Sequence, residues 1–136
     1  MQKSFLLVCS LSALGTVVLD QYVKSLYSAT QSILNPGVSF GFLSGPFLTF
    51  LLLAVLLAVS RYLLTHHAPA IPTGLLIGGA SSNLLDRFFL GGVKDIFAVP
   101  VLNVYNNLAD WAIVIAVVWL FIWQSRTPHH YDSDRL

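Results

Sequence analysis

Four stretches of mostly apolar residues, near 4–27, 47–64, 71–90 and 107–125, take up most of this chain. A helix needs about 20 such residues to cross the hydrocarbon core of a bilayer. With 56% hydrophobic and 10% charged residues, the chain is too apolar for a soluble domain, whose surface must be largely polar. The expected fold is an all-α membrane protein of four transmembrane helices, forming one domain over 1–136.

Net charge and cysteine usage narrow the partners. A formal charge of +1, with no basic run, gives no electrostatic basis for binding nucleic acid. The single Cys9 sits in an apolar run, so neither an internal disulfide nor a cysteine-based metal site is expected. Lys3 and the apolar run after it look like a secretory signal, but no small-x-small cleavage site closes the run, so it is read as an uncleaved first span.

The links between spans differ. The first contains Asn35-Pro36-Gly37, a tight turn in which Pro sets φ and Gly supplies a positive one, followed by an extended interfacial segment over 38–43 at the outer face. The link after the third span carries Lys94 and Asp95. If four helices alternate, Lys3, Arg61 and Arg126 fall on one side and Lys94 alone on the other, which predicts both termini in the cytoplasm. His66-His67 and His129-His130 fall on that inner side as solvated interface residues. Gly74-x-x-x-Gly78, followed by Gly79, Ala80, Ser81 and Ser82, gives the third helix a flat face that a neighbouring backbone can approach.

The acidic residues carry the functional signal. There is no Glu, and the six Asp are at 20, 86, 95, 110, 132 and 134. Asp20 lies a rise of roughly 24 Å along the first helix from Ser4, and Asp86 roughly 23 Å along the third from Ile71. Both reach the outer leaflet, where the link with Asp95 and the first turn with Asp110 also lie. Ionisable groups inside a span are costly and usually face a bundle interior or a wet cavity, so four carboxylates at one depth argue for a site. Helical spacing puts Asp20 with Lys24, and Asn83 with Asp86 and Arg87, on shared faces. Asn103, Asn106, Asn107 and Asp110 would form a further stripe if the last helix began early.

The four Asp are not expected to do the same work. Asp20 has Lys24 one turn on and Asp86 has Arg87 beside it, so this pair is read as ionised and structural. Asp95 and Asp110 lack so local a partner, apart from adjacent Lys94, whose side chain need not point the same way, and are the candidates for chemistry. Asp110 meets the positive end of a helix dipole, and a second carboxylate brought close would be pushed to hold a proton. One charged and one protonated Asp is the arrangement of the aspartic proteases.

The ordered segments LDQYVK, NPGVSF, SSNLLDR, VKDIF and NNLADW resemble the motifs of lipoprotein signal peptidase, the type II signal peptidase family of bacteria, over residues 19–113. The resemblance implies four membrane helices in the bacterial inner membrane and an aspartyl endopeptidase without metal or cofactor. It implies Asp95 and Asp110 as the catalytic pair. It further implies that Asn35, Gly37, Phe40, Asn83, Arg87, Asn107 and Ala109 bind substrate or support the dyad, and that Asp20, Lys24 and Asp86 are structural. Its partners would be membrane lipid and a prolipoprotein with a diacylglyceryl-modified Cys, cut immediately before that Cys by a monomeric enzyme. Ser82 stands where the motif has Gly, Lys94 where it has Val, Ile96 and Asn106 where it has Phe, and Val38-Ser39 where it has Ala-Ala. On these departures Ser82 is expected to crowd a helix contact, and Lys94 to lower the pKa of Asp95 or pair with it.

Two alternatives stay open. A catalytically silent or substrate-diverged paralogue would bind lipidated precursors. A small proton or ion conduit would need polar groups across the whole membrane depth, which the inner halves of the helices lack.

Overall fold

The computed structural model describes residues 2–38, 43–101 and 104–126. Its helices are α1 (Gln2–Ser25), α2 (Pro46–Thr65), α3 (Ala70–Leu90) and α4 (Leu108–Arg126), close to the four apolar stretches. The helix ends have local causes. Pro46 opens α2 after Gly45, whose φ of 87° suits only glycine. At the other end of α3, Gly91 takes the left-handed conformation and its N–H returns to the Arg87 carbonyl.

Three of these helices, α1, α2 and α4, are long and apolar enough to cross a membrane. They carry exposed apolar side chains such as Leu14, Phe50, Leu57 and Phe121. α3 is as long, but it holds Ser81, Ser82, Asn83, Asp86 and Arg87 and packs against all three others. Its glycines permit that packing. A Cβ at Gly78 would lie 2.5 Å from the Ala13 carbonyl oxygen of α1, and one at Gly79 would lie 2.6 Å from the Ala109 carbonyl oxygen of α4.

The links are not loops alone, which corrects the all-α expectation. Among the described residues six short strands form three antiparallel pairs: β1 (Ile33–Asn35) with β4 (Val93–Asp95), β2 (Gly37–Val38) with β3 (Leu43–Ser44), and β5 (Phe97–Val99) with β6 (Val104–Asn106). The register of β1 and β4 sets Ile33 opposite Asp95 and Asn35 opposite Val93. It joins the link after α1 to the link after α3, because Gly92 lets the chains close: a Cβ there would lie 2.8 Å from the Asn35 carbonyl oxygen. The polar stripe expected at an early start of α4 does not form as helix, since Asn106 belongs to β6 and α4 begins at Leu108. Asn103, most of the extended segment after the Asn35 turn, Phe40, and the tail with His129-His130 lie outside the described residues.

The interior at the link end of the bundle is polar. Asp20, Lys24, Ser82, Asp86, Asp95 and Asn107 are all buried.

Candidate active site

Buried charge is tolerated only when paired and fully hydrogen-bonded, and the first layer of this interior meets that condition. Lys24 reaches Asp20 at 2.6 Å and Asp86 at 2.7 Å, bridging α1 to α3. Gln21 donates to the other Asp86 oxygen at 2.8 Å, and the Lys94 backbone N–H donates to Asp86 Oδ2 at 3.1 Å. The cation beside Asp86 is therefore Lys24 and not Arg87. Consecutive side chains on a helix point about 100° apart, and Arg87 turns instead to the Pro36 and Gly37 carbonyls, at 3.5 and 3.2 Å.

Asp20 has a second task. One oxygen accepts from the Ala109 backbone N–H at 2.9 Å, in the first turn of α4, and the other accepts from Ser82 Oγ at 2.7 Å. A carboxylate at that position meets the positive end of the helix dipole. Ser82, expected to crowd the contact, instead supplies a buried hydrogen bond to the group that caps α4.

The second layer holds the two candidate catalytic groups. Asn107 is fully buried at the N-cap of α4 and touches both. Its Nδ2 donates to Asp95 Oδ1 at 2.8 Å, and its backbone N–H donates to Asp110 Oδ2 at 3.2 Å. The Asp110 N–H in turn donates to Asn107 Oδ1 at 2.9 Å, a reciprocal capping box. Each Asp has one further amide donor: Asn35 Nδ2 to Asp95 Oδ2 at 3.3 Å, and Asn83 Nδ2 to Asp110 Oδ1 at 2.8 Å. Asn83 is itself oriented, because its carbonyl oxygen accepts from Lys24 at 3.3 Å. Gly37 completes the turn that aims Asn35, its N–H donating to Asn35 Oδ1 at 3.2 Å.

Of the residues singled out in the sequence, Asn35, Gly37, Asn83, Arg87, Asn107, Ala109, Asp95 and Asp110 thus come together at one end of the bundle. The structure adds Gln21, Ser82 and the backbone of Lys94. The Asn107–Asp110 half of the tether was readable from the N-x-x-D spacing of a capping box, whereas its hold on Asp95, twelve residues away, was not.

Burial and the neighbouring Asp110 carboxylate push the Asp95 carboxyl up to about 6, against the pull of the Asn107 and Asn35 hydrogen bonds and of Lys24. Lys94 takes no part in this, because alternation along β4 sends its side chain away from Asp95. Its ammonium donates to the Lys24 and Tyr27 carbonyls at 2.8 and 2.5 Å, so the expected ion pair with Asp95 does not form.

Asp95 is 2% exposed, whereas Asp110 opens into a groove of about 310 Å³. The groove runs between α2, α3 and α4, with Leu52, Val55 and Leu76 along its walls and Asn83, Arg87 and Asp110 as its polar members. An apolar channel ending at a carboxylate suits an extended apolar chain with a reactive amide at its end. A second hollow of about 360 Å³ lies at the far end of the bundle, among Ser4, Phe5, Pro69 and Trp119, with no acidic side chain in its lining.

Comparison with known proteins follows the same lines. The family described as signal peptidase (SPase) II matches residues 12–126. A lipoprotein signal peptidase of Sulfurimonas denitrificans is 34% identical, over 86% of this chain and 87% of that protein. One from a Sulfurovum species is 36% identical, over 87% and 90%. Among solved structures, a bacterial membrane enzyme determined by the in meso method aligns with a TM-score of 0.77 at 22% identity, covering 94% of this chain and 93% of that one. A second, also described as a bacterial membrane enzyme, aligns at a TM-score of 0.75 and 24% identity, over 88% and 94%. These two likenesses concern the fold.

Proposed function

Starting from the chain's membership of the signal peptidase II family, which cleaves the signal peptides of prolipoproteins, we propose that it is an aspartic endopeptidase whose catalytic pair is Asp95 and Asp110. The observation that carries the assignment is the double tether: Asn107 hydrogen-bonds both carboxyl groups, so the two are held as a unit. The substrate is a prolipoprotein with a diacylglyceryl-modified Cys, cut immediately before that Cys. The apolar groove takes the signal segment or acyl chains from the bilayer side.

In the proposed cycle Asp110, which faces the groove, takes a proton from water as the water oxygen attacks the scissile carbonyl carbon. Asp95, buried and inclined to hold a proton, donates a hydrogen bond to the carbonyl oxygen and passes that proton to it. Collapse of the tetrahedral diol returns a hydroxyl proton to Asp95. The proton on Asp110 goes to the leaving amine as the C–N bond breaks. Asn35, Asn83 and Asn107 hold the pair in place, Gly37 and Arg87 hold the turn that carries Asn35, and Phe40 is assigned to substrate binding on the family resemblance alone. Asp20, Lys24, Asp86 and the Ala109 backbone fix α4 against α1 and α3.

We place the enzyme as a single-domain monomer in the bacterial inner membrane with four spans and both termini cytoplasmic. α3 serves as the third span: its 21 residues rise about 31 Å, enough to cross. Its charged residues sit at one end, where Asp86 meets Lys24 of α1 and Arg87 meets the Pro36 and Gly37 carbonyls. Lys3, Arg61 and Arg126 on one side against Lys94 on the other support the orientation.

The test is purified protein in detergent with a diacylglyceryl-modified prolipoprotein, following release of the mature product, beside Asp95→Asn and Asp110→Asn. Cleavage before the lipidated Cys that both variants abolish is the expected result. Near-normal turnover in either variant removes that residue from the pair.

A further inference from the structure

β4 is only three residues long, and its central residue has no place in the catalytic assignment. Lys94 nevertheless makes three hydrogen bonds to its surroundings. Its ammonium donates to the Lys24 carbonyl at 2.8 Å and the Tyr27 carbonyl at 2.5 Å, and its backbone N–H to Asp86 Oδ2 at 3.1 Å. The Lys24 carbonyl lies in the last turn of α1, where it also accepts from the Tyr27 N–H at 3.3 Å, and the Tyr27 carbonyl lies two residues past the helix, so a cation there meets the negative end of the dipole. Two residues past Asp95, the Phe97 ring packs edge-on against Tyr27 with centroids 6.3 Å apart. The end of α1 therefore grips the chain on both sides of Asp95.

The opposite face of β4 has fewer holds. There, among the described residues, the Asp95 carboxylate accepts from the side-chain amides of Asn35 and Asn107, and β1, the strand that pairs with β4, has Ile33 and Leu34 exposed. The β1 ladder and the Ile96 N–H to the Asn106 carbonyl at 2.9 Å hold the backbone of so short a strand, and the Lys94 ammonium is the side-chain anchor that ties it to the end of α1. Resting on the assignment of Asp95 to the catalytic pair, we infer that Lys94 is a positioning residue for Asp95: its ammonium seats β4 on the C-terminal end of α1 and so sets where the Asp95 carboxyl stands relative to Asn107 and Asp110. Lys94 acts through the backbone and not through its charge on the neighbouring carboxyl, since its side chain points the other way.

The experiment compares the purified full chain with Lys94→Met and Lys94→Arg in the prolipoprotein cleavage assay across pH, with thermal unfolding followed in the same detergent. Met keeps the length and loses the donor, whereas Arg keeps donors for the carbonyls. The expected result is a kcat per folded molecule about ten- to a hundredfold lower in Lys94→Met, the size of effect that a small displacement of a reacting group produces. KM should stay within about twofold, the limbs of the pH profile should not move, and Lys94→Arg should regain most of the rate. Should Lys94→Met not accumulate in folded form, Lys94→Gln carries the same expectation.

A normal kcat per folded molecule in the neutral variants overturns the inference and leaves Lys94 with a role in stability alone. An upward shift of the pH profile overturns it in favour of a direct charge effect, and an Arg variant as slow as Met overturns it by removing the carbonyl contacts from the explanation. Asp95→Asn, run alongside, separates the two readings: if it retains cleavage, the catalytic assignment fails whatever Lys94 does.

Discussion

Asn107 and Asp110 hydrogen-bond each other twice at the start of α4, the Asp110 N–H to Asn107 Oδ1 at 2.9 Å and the Asn107 N–H to Asp110 Oδ2 at 3.2 Å. That box fixes the position of one carboxylate from the helix that bears it, and leaves the Asn107 amide free to hold Asp95. Stability and activity should therefore separate at this residue. Asn107→Ala loses the cap, a cost of about 1 kcal/mol, and also the Asp95 donor. Asn107→Ser keeps a capping oxygen but has no amide to reach Asp95. Thermal melts should show Ser close to wild type and Ala lowered, while the cleavage assay should find both slower by about a hundredfold.

The Asp95 carboxyl, raised from its ordinary 3.8 to about 6 by burial and by Asp110, makes stability depend on pH in a defined direction. A group whose folded pKa is raised contributes stability that is fully present below its unfolded value and is lost as pH rises through its folded one. The wild type should thus lose stability between about pH 4 and 7 relative to Asp95→Asn, whose amide does not titrate. Melting temperatures of the two in the same detergent at about pH 3 and about pH 7.5, one on either side of that window, measure it. A difference that narrows or stays constant towards high pH would show that Asp95 is not strained when ionised.

How far the sequence disclosed this arrangement depends on the range of the interaction. The helices were legible because each is long and apolar, and the depth of Asp20 and Asp86 followed from counting rise along them. Asp110 stood out by having no cation within a helical turn, and Asp95 by having only the adjacent Lys94, whose side chain need not point the same way. The β1 and β4 pairing was not legible: strands of three residues have no periodicity to read, and these two lie some sixty residues apart. The partner of Asp86 was missed for a similar reason. Adjacency in sequence favoured Arg87, whereas contact across the bundle belongs to Lys24. The direction of Lys94 depended on β4 being a strand, so it was hidden along with the strand.

Lys24 is shared by Asp20 and Asp86, and it also orients Asn83. Lys24→Met would leave two buried carboxylates without their counter-ion, a loss of about 3–5 kcal/mol where one partner of a buried pair is removed. The folded protein recovered from membranes should fall sharply. Adding Asp86→Asn to that variant removes one stranded charge and should restore part of the yield, though Asn83 remains unoriented and cleavage stays low. Size-exclusion recovery and the cleavage assay, run on the single and double variants, check the two parts separately.

Gly79 faces α4 one residue from Asp110 in the chain, because a Cβ there would meet the Ala109 carbonyl oxygen at 2.6 Å and Ile113 Cγ1 at 2.9 Å. Backbone at that distance cannot move aside without carrying the helix with it. Gly79→Ala should therefore push the first turn of α4 away from α3, stretching the Asn83 to Asp110 hydrogen bond and the Asp20 hold on the Ala109 N–H. Gly15, in the middle of α1, has nothing within 4 Å of the same added atom. Gly15→Ala should be neutral or stabilising by up to about 1 kcal/mol, since Ala is the better helix former. The pair isolates packing from propensity: the same one-carbon change should cost about tenfold or more in cleavage rate at position 79 and leave it unchanged at position 15. Equal rates in the two variants would mean that α4 tolerates displacement and that its contact with α3 does not set the geometry of Asp110.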